Sequence, residues 1–234
     1  MGAFFIEQVI QGICLGSLYS LVAVGLVMIY QAVSVFNFAH ADLVALGGIA
    51  AFVAYRSGVT AFVLTGLCAF AACFVTGMLV ERVAFRPLLR APGQNYLIAT
   101  IGIGIVLRNL MRIIFSADVF AFPSVFGSDP LIVGSVLIVP DNIAILLVTT
   151  IAVVALHLFF KKTLLGKSMR AVAQDREAAQ VMGINVNRSI SWTYGLSAGL
   201  AGLAGLLVAP IFYVSAEMGG PLRMKAFIAF ILAG

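Results

Sequence analysis

Charge is scarce in this chain. Only 10% of its 234 residues are Asp, Glu, Lys or Arg, against about a quarter in soluble domains. That deficit, beside a hydrophobic content of 62%, excludes an ordinary soluble fold. The apolar residues form long continuous runs and not the strict alternation of a transmembrane barrel. Cysteine is nearly absent. Cys14, Cys68 and Cys73 each lie in an apolar run with no metal-ligand spacing, which argues against a disulfide framework or a zinc site. The chain has two histidines and lacks Gly-x4-Gly-Lys-Ser/Thr, Gly-x-Ser-x-Gly and His-Glu-x-x-His. The signatures of P-loop ATP hydrolysis, of a serine hydrolase and of a zinc peptidase are therefore missing, and no cofactor or metal is expected. No basic stretch precedes the first apolar run, so a cleavable leader is not expected. The net charge of +5 sits at the borders of apolar runs. That is the positive-inside pattern of a membrane protein, and no nucleic-acid partner is expected.

What remains is an all-α, polytopic transmembrane bundle in a single domain, residues 1–234. Apolar spans are predicted at Ile6–Tyr30, Thr60–Val80, Asn95–Phe115, Ile143–Phe160 and Ile190–Val214. Gly12-x-x-x-Gly16 in the first, and Gly195, Gly199, Gly202 and Gly205 in the last, predict close helix packing. Between the first two spans, Leu43–Tyr55 is too short. Its helix would reach about 20 Å, against an apolar layer of about 30 Å. It must borrow upstream residues, so Asn37, His40 and Asp42 enter the membrane. Such groups mark a translocation path, or else an interfacial turn with Asp42 capping the helix from Leu43. With this broken or re-entrant segment the count is about 6 to 7 spans.

The loops set the orientation. Glu81–Gln94 carries Arg82, Arg86 and Arg90, with Pro87 and Pro92-Gly93 breaking any helix. Lys161–Arg188 carries six of the fourteen Lys and Arg residues, whereas Ser116–Asn142 carries none. Both basic loops are then cytoplasmic and the third is external, with a possible interfacial piece at Leu131–Val139. Counting back places the N-terminus outside if Val35–Tyr55 crosses fully. Arg223 and Lys225 then also fall outside, which fits poorly, and a re-entrant segment would remove the conflict. Arg108 and Arg112 share a helical face and are expected to snorkel to the interface. His157 is expected at the interface.

Within the 161–188 loop, Asp175–Gly183 reads as one short helix. Asp175 suits the N-cap, Glu177 the first turn and Gly183 the left-handed position past the end. Ala178 and Ala179 give it a smooth face. Glu-Ala-Ala, three residues, then Gly resembles the EAA loop of ABC importer permeases, although the later hydrophobic-Leu-Pro part is absent.

A second resemblance is more specific. Asn37-Phe38-Ala39-His40-Ala41-Asp42, followed by a Leu-Gly-rich helix, is similar to the NFAHGD signature of branched-chain amino-acid ABC importer permeases, with Ala41 where the family usually has Gly. Collinear matches follow at Glu81–Leu88, Ala99–Gly102, Met169–Asp175 and Met182–Val186. This family resemblance implies a permease subunit of the bacterial inner membrane. It implies alternating access driven by ATP through a coupling helix carrying Asp175, Glu177, Ala178, Ala179 and Gly183. It also implies partners: a second, related permease subunit, two cytoplasmic ATP-binding subunits and a periplasmic substrate-binding protein. Family permeases continue with a further Gly-rich stretch and another span beyond Met224–Gly234, so a fragment or shortened chain is expected. Leucine-type substrates, urea and short amides all remain open. Two other classes compete: a transporter driven by protons at His40 or Asp42, and an intramembrane hydrolase or acyltransferase built on that pair.

Overall fold

In the computed structural model the apolar runs fold as helices, because backbone groups in hydrocarbon must be satisfied within their own segment. Residues 2–90, 93–115, 118–124, 131–133 and 136–233 are described. The helices are α1 (Gly2–Val33), α2 (His40–Arg56), α3 (Phe62–Val80), α4 (Gly93–Phe115), α5 (Pro140–Lys162), α6 (Leu164–Gln174), α7 (Arg176–Val181), α8 (Val186–Phe212) and α9 (Gly219–Ala233). Among the described residues, five helices are long and apolar enough to cross a membrane: α1, α3, α4, α5 and α8. α2 and α9, of 17 and 15 residues, are shorter.

Two expectations about the loops and one about α1 change. Glu81–Arg90 does not break the helix before it. It continues α3 as a π-helical turn, Glu81–Phe85, and a 3-10 turn, Arg86–Arg90, with Pro87 in the tighter turn. Within Leu131–Val139, β1 (Leu131–Val133) and β2 (Val136–Ile138) pair antiparallel, as suits a β-branched run. Gly12 and Gly16, expected at a close helix contact, have no neighbour within 4 Å of an added Cβ. The proposed breaker Pro92 and the residues Ser116, Gly127, Asp129 and Pro130 of the external loop lie outside the described residues.

α8 is the hub. Its glycine stripe works as the spacing predicts, since α2 crosses it almost backbone to backbone. A Cβ on Gly205 would lie 2.1 Å from the Val44 carbonyl oxygen, and one on Gly47 would lie 2.4 Å from Gly202 Cα. Gly195 and Gly199 seat the rings of Phe74 and Phe70 from α3. Around this contact a core of Leu18, Leu21, Val22, Leu43, Val44, Leu207 and Val208 closes.

The two ends of the bundle are distinct. At one, the Leu137 amide donates to Glu7 Oε1 at 2.7 Å, Phe120 pairs with Val214 and Phe52 stacks on Phe120. At the other lie the basic segments 81–90 and 161–188. There Arg176 donates to the carbonyl of Ala32, in the last turn of α1. α1 runs toward this basic end and α2 away from it.

α1 and α8 end alike. Each is followed at once by a residue in the left-handed region, Ser34 (φ 57°) and Tyr213 (φ 60°). After each, the chain turns back into the bundle, and a short helix begins seven residues past the last helical residue, at His40 and at Gly219. α2 packs on α8, and α9 packs on α1. The two helix–break–helix units thus run in opposite senses and meet where Gly219 packs against the Ala41 carbonyl. Inverted repeats with discontinuous helices meeting in the bundle are a transporter architecture.

Candidate functional site: a coupling helix and a charged break

The short helix α7 forms as its residues dictate. Asp175 is the N-cap, its carboxylate accepting from the amides of Glu177 at 2.8 Å and Ala178 at 3.0 Å. Gly183 follows the end with φ +81°. The helix has two faces. Glu177, Ala178, Val181 and Met182 are exposed, and two of these are large apolar side chains, Val181 at 87% and Met182 at 81%. Ala179 does not share that surface. It is buried with Val172, Ile29, Val33, Phe85, Tyr96, Ile190 and Tyr194 in a cluster of its own, which ties the helix to the spans. The hydroxyls of Tyr96 on α4 and Tyr194 on α8 meet within this cluster. Beside it Glu81, fully buried, accepts from Arg86 Nη2 at 2.9 Å and from the Ser191 hydroxyl at 2.7 Å. The short helix α7 is thus tied to α1, α4, α8 and the α3 extension together.

The broken segment places the other three candidates. Asn37 shapes the turn, its Oδ1 accepting from the Ala39 amide at 3.1 Å. The Phe38 amide donates to Thr100 Oγ1 of α4 at 3.3 Å. His40 is buried against Gly25, where a Cβ would lie 2.7 Å from the imidazole Nε2. Its Nδ1 lies 3.4 Å from Ser197 Oγ, and that hydroxyl donates to the Gly25 carbonyl at 2.7 Å. Asp42 does not cap a helix starting at Leu43, because α2 already starts at His40 with no side-chain cap. Its carboxylate turns sideways to two guanidiniums. Arg108 donates from Nε and Nη2 at 3.1 and 2.8 Å. Arg223 donates from Nη2 to both oxygens at 2.9 and 3.1 Å. Gly104 makes room, since a Cβ there would lie 2.5 Å from Asp42 Oδ2. His40 and Asp42 therefore face different partners, not each other as a catalytic pair requires.

Arg108, Arg112, Arg223 and Lys225 were not expected here. Arg108 reaches inward to Asp42 and does not snorkel. Arg112 pairs with Glu217 in the segment before α9. Arg223 and Lys225 are not in an external loop but on α9, Arg223 half-buried and Lys225 exposed, with Lys225 on the ring and hydroxyl of Tyr19. The signal was present in the misfit of Arg223 with an external position. A cation in an apolar layer needs an acid, and the broken segment offered Asp42. His157 is exposed, and with Lys161 and Arg170 it lines a cytoplasmic-side cavity of about 450 Å³. No cluster of three or more His, Cys, Asp or Glu suited to a metal occurs among the described residues.

The sequence is similar to known transport proteins. Residues 8–234 match the family described as "Branched-chain amino acid transport system / permease component". The high-affinity branched-chain amino acid transport system permease protein LivH of Escherichia coli (strain K12) is 32% identical over 245 residues, covering 99% of this chain and 79% of its own length. The permease protein BraD of Pseudomonas aeruginosa, of the same description, is 32% identical over 245 residues, covering 98% and 79%. The fructose import permease protein FruF of Bifidobacterium longum is 26% identical over 225 residues, covering 92% and 59%. No solved structure matches the chain. This multi-pass helical membrane protein belongs to the family of permease components of branched-chain amino acid transport systems.

Proposed function

We propose that this chain is the membrane-spanning subunit of an ATP-driven importer of branched-chain amino acids in a bacterial inner membrane. Its partners are a second, related permease subunit, two cytoplasmic ATP-binding subunits and a periplasmic substrate-binding protein. ATP binding and hydrolysis belong to the partners, since this sequence has no phosphate-binding loop.

The observation that carries the reading is the two-faced α7. Helices in water bury their apolar residues, yet Val181 on this six-residue helix and its C-cap Met182 project beside Glu177 and Ala178. The opposite face, through Arg176 and Ala179, is fixed to the spans. A part held on one side and bare on the other suits force transmission from a docked ATPase. Arg176 holds the last turn of α1, immediately before the break that leads to Asn37, His40 and Asp42. Movement of α7 therefore reaches the broken segment through one hydrogen-bonded link. Alternating access is the mechanism, with the helix–break–helix units shifting as the ATPases close.

Glu177→Lys tests it. The variant is expected in the membrane at normal level, with ATPase co-purification and leucine uptake both lost. Normal co-purification and uptake in that variant would contradict the docking role.

A further inference from the structure

The ion pairs of the bundle do not all balance. Arg86 with Glu81, and Arg112 with Glu217, are one cation to one carboxylate. Asp42 has two guanidiniums, Arg108 and Arg223, so this group keeps one positive charge in excess. It also lies deep. Asp42 packs on Gly104, the middle residue of α4, so the excess charge is near the bilayer midplane. A purely structural network there would be neutral, because each uncompensated charge in an apolar layer is costly.

The excess faces outward from the bundle. The Asp42 side chain is 3% exposed, whereas those of Arg108 and Arg223 are 27% and 29% exposed. Arg223 Nε is buried with no hydrogen-bond partner. α2 and α9 both start beside the group, at His40 and Gly219, so the positive ends of two helices add to the same field. The stripe of α4 that carries Arg108 also carries Ile101 and Ile105, both exposed. It sets an aliphatic surface next to the cations.

We propose that Arg108 and Arg223, with Asp42 as their fixed counter-ion, form the station that binds the α-carboxylate of an amino acid in transit, its aliphatic side chain lying along Ile101 and Ile105. This rests on the transport reading and narrows it. Urea and neutral amides bring no carboxylate and need no excess cation. Asp42 holds the two planar guanidiniums in place, and a passing carboxylate completes their charge without removing a proton from either.

The test uses the assembled permease–ATPase complex without its binding protein, and equilibrium binding of radiolabelled leucine. Isovalerate keeps the branched chain and the carboxylate, whereas leucinamide replaces the carboxylate with an amide. Isovalerate is expected to compete, and leucinamide to compete about tenfold or more weakly, the loss of one charge-assisted pair. R223Q is expected to weaken leucine binding by a similar factor, and R223K to recover most of it. The competition arm needs no variant, so a folding defect in R223Q cannot obscure it. Equal competition by leucinamide, or no leucine binding, overturns the station. If the wild type still takes up leucine, the transport reading survives that failure. An importer that takes up leucinamide or urea and not leucine fails both.

Discussion

Replacing Asp42 by Asn should destabilise the whole bundle, and the size follows from its partners. The substitution keeps the side-chain volume and removes only the charge. Two guanidiniums, each within 2.9 Å of a carboxylate oxygen, would then share the membrane interior without an anion. Removing one partner of a buried ion pair costs about 3–5 kcal/mol, because the charge left behind stays buried. Each kcal/mol shifts the midpoint of a chain this size by about 2–4 °C, so the drop should be about 6–20 °C. The assay is thermal unfolding of the purified protein in detergent, run as a cycle with Arg108→Gln and Arg223→Gln. In the background lacking both arginines, most of the Asp42→Asn cost should vanish, because the orphaned charges are gone. A fall of under about 2 °C in the single variant, or strict additivity across the cycle, would refute the claim that Asp42 serves as their counter-ion.

The remaining predictions concern packing and the cytoplasmic end. Gly205→Leu should cost about 3 kcal/mol or more and largely abolish folded protein on size-exclusion chromatography, because its Cβ would meet the backbone oxygen of Val44 at 2.1 Å; a normal yield would mean the helices can separate. Glu81→Gln should cost about 1–3 kcal/mol in thermal unfolding, since the fully buried carboxylate loses its charge-assisted bonds to Arg86 and Ser191. Asp175→Ala should cost about 1 kcal/mol at the start of α7, seen as faster hydrogen exchange at the Glu177 and Ala178 amides; Asp175→Asn should be nearly neutral.

Short-range chemistry made α7 legible in the sequence. Asp175 caps amides two and three residues away, and Gly183 takes a conformation set by its own backbone. The glycine stripe of α8 was legible for a similar reason, because a missing Cβ on a helix face invites a neighbour. Yet Gly12 and Gly16 obey the same spacing and have none, so the pattern states an opportunity without a partner. Length arithmetic found the break before α2, since 13 apolar residues cannot cross. It did not find that Asp42 turns away from the helix end, nor that Arg223, 181 positions later, meets it. That pairing is decided by the second break, after Phe212, which brings α9 back into the bundle. The left-handed residue there is a tyrosine and not a glycine, and Pro210 three positions earlier lies within α8 instead of ending it. The burial of Ala179 was not legible for another reason. A six-residue helix has too few apolar positions for periodicity to tell its bound face from its bare one.

ATP coupling through α7 is central to the proposed mechanism, and one measurement addresses it directly. Radiolabelled leucine uptake would be followed in cells carrying the complete importer, for wild type and for Gly183→Pro. A proton uncoupler would be added under conditions that preserve ATP. Proline cannot take the φ of +81° found at Gly183, so the variant distorts the end of the coupling helix. Uptake that survives the uncoupler and is lost in Gly183→Pro is the predicted result. Uptake that collapses with the uncoupler and ignores the substitution would contradict it, and would return a proton-driven mechanism to His40 and Asp42.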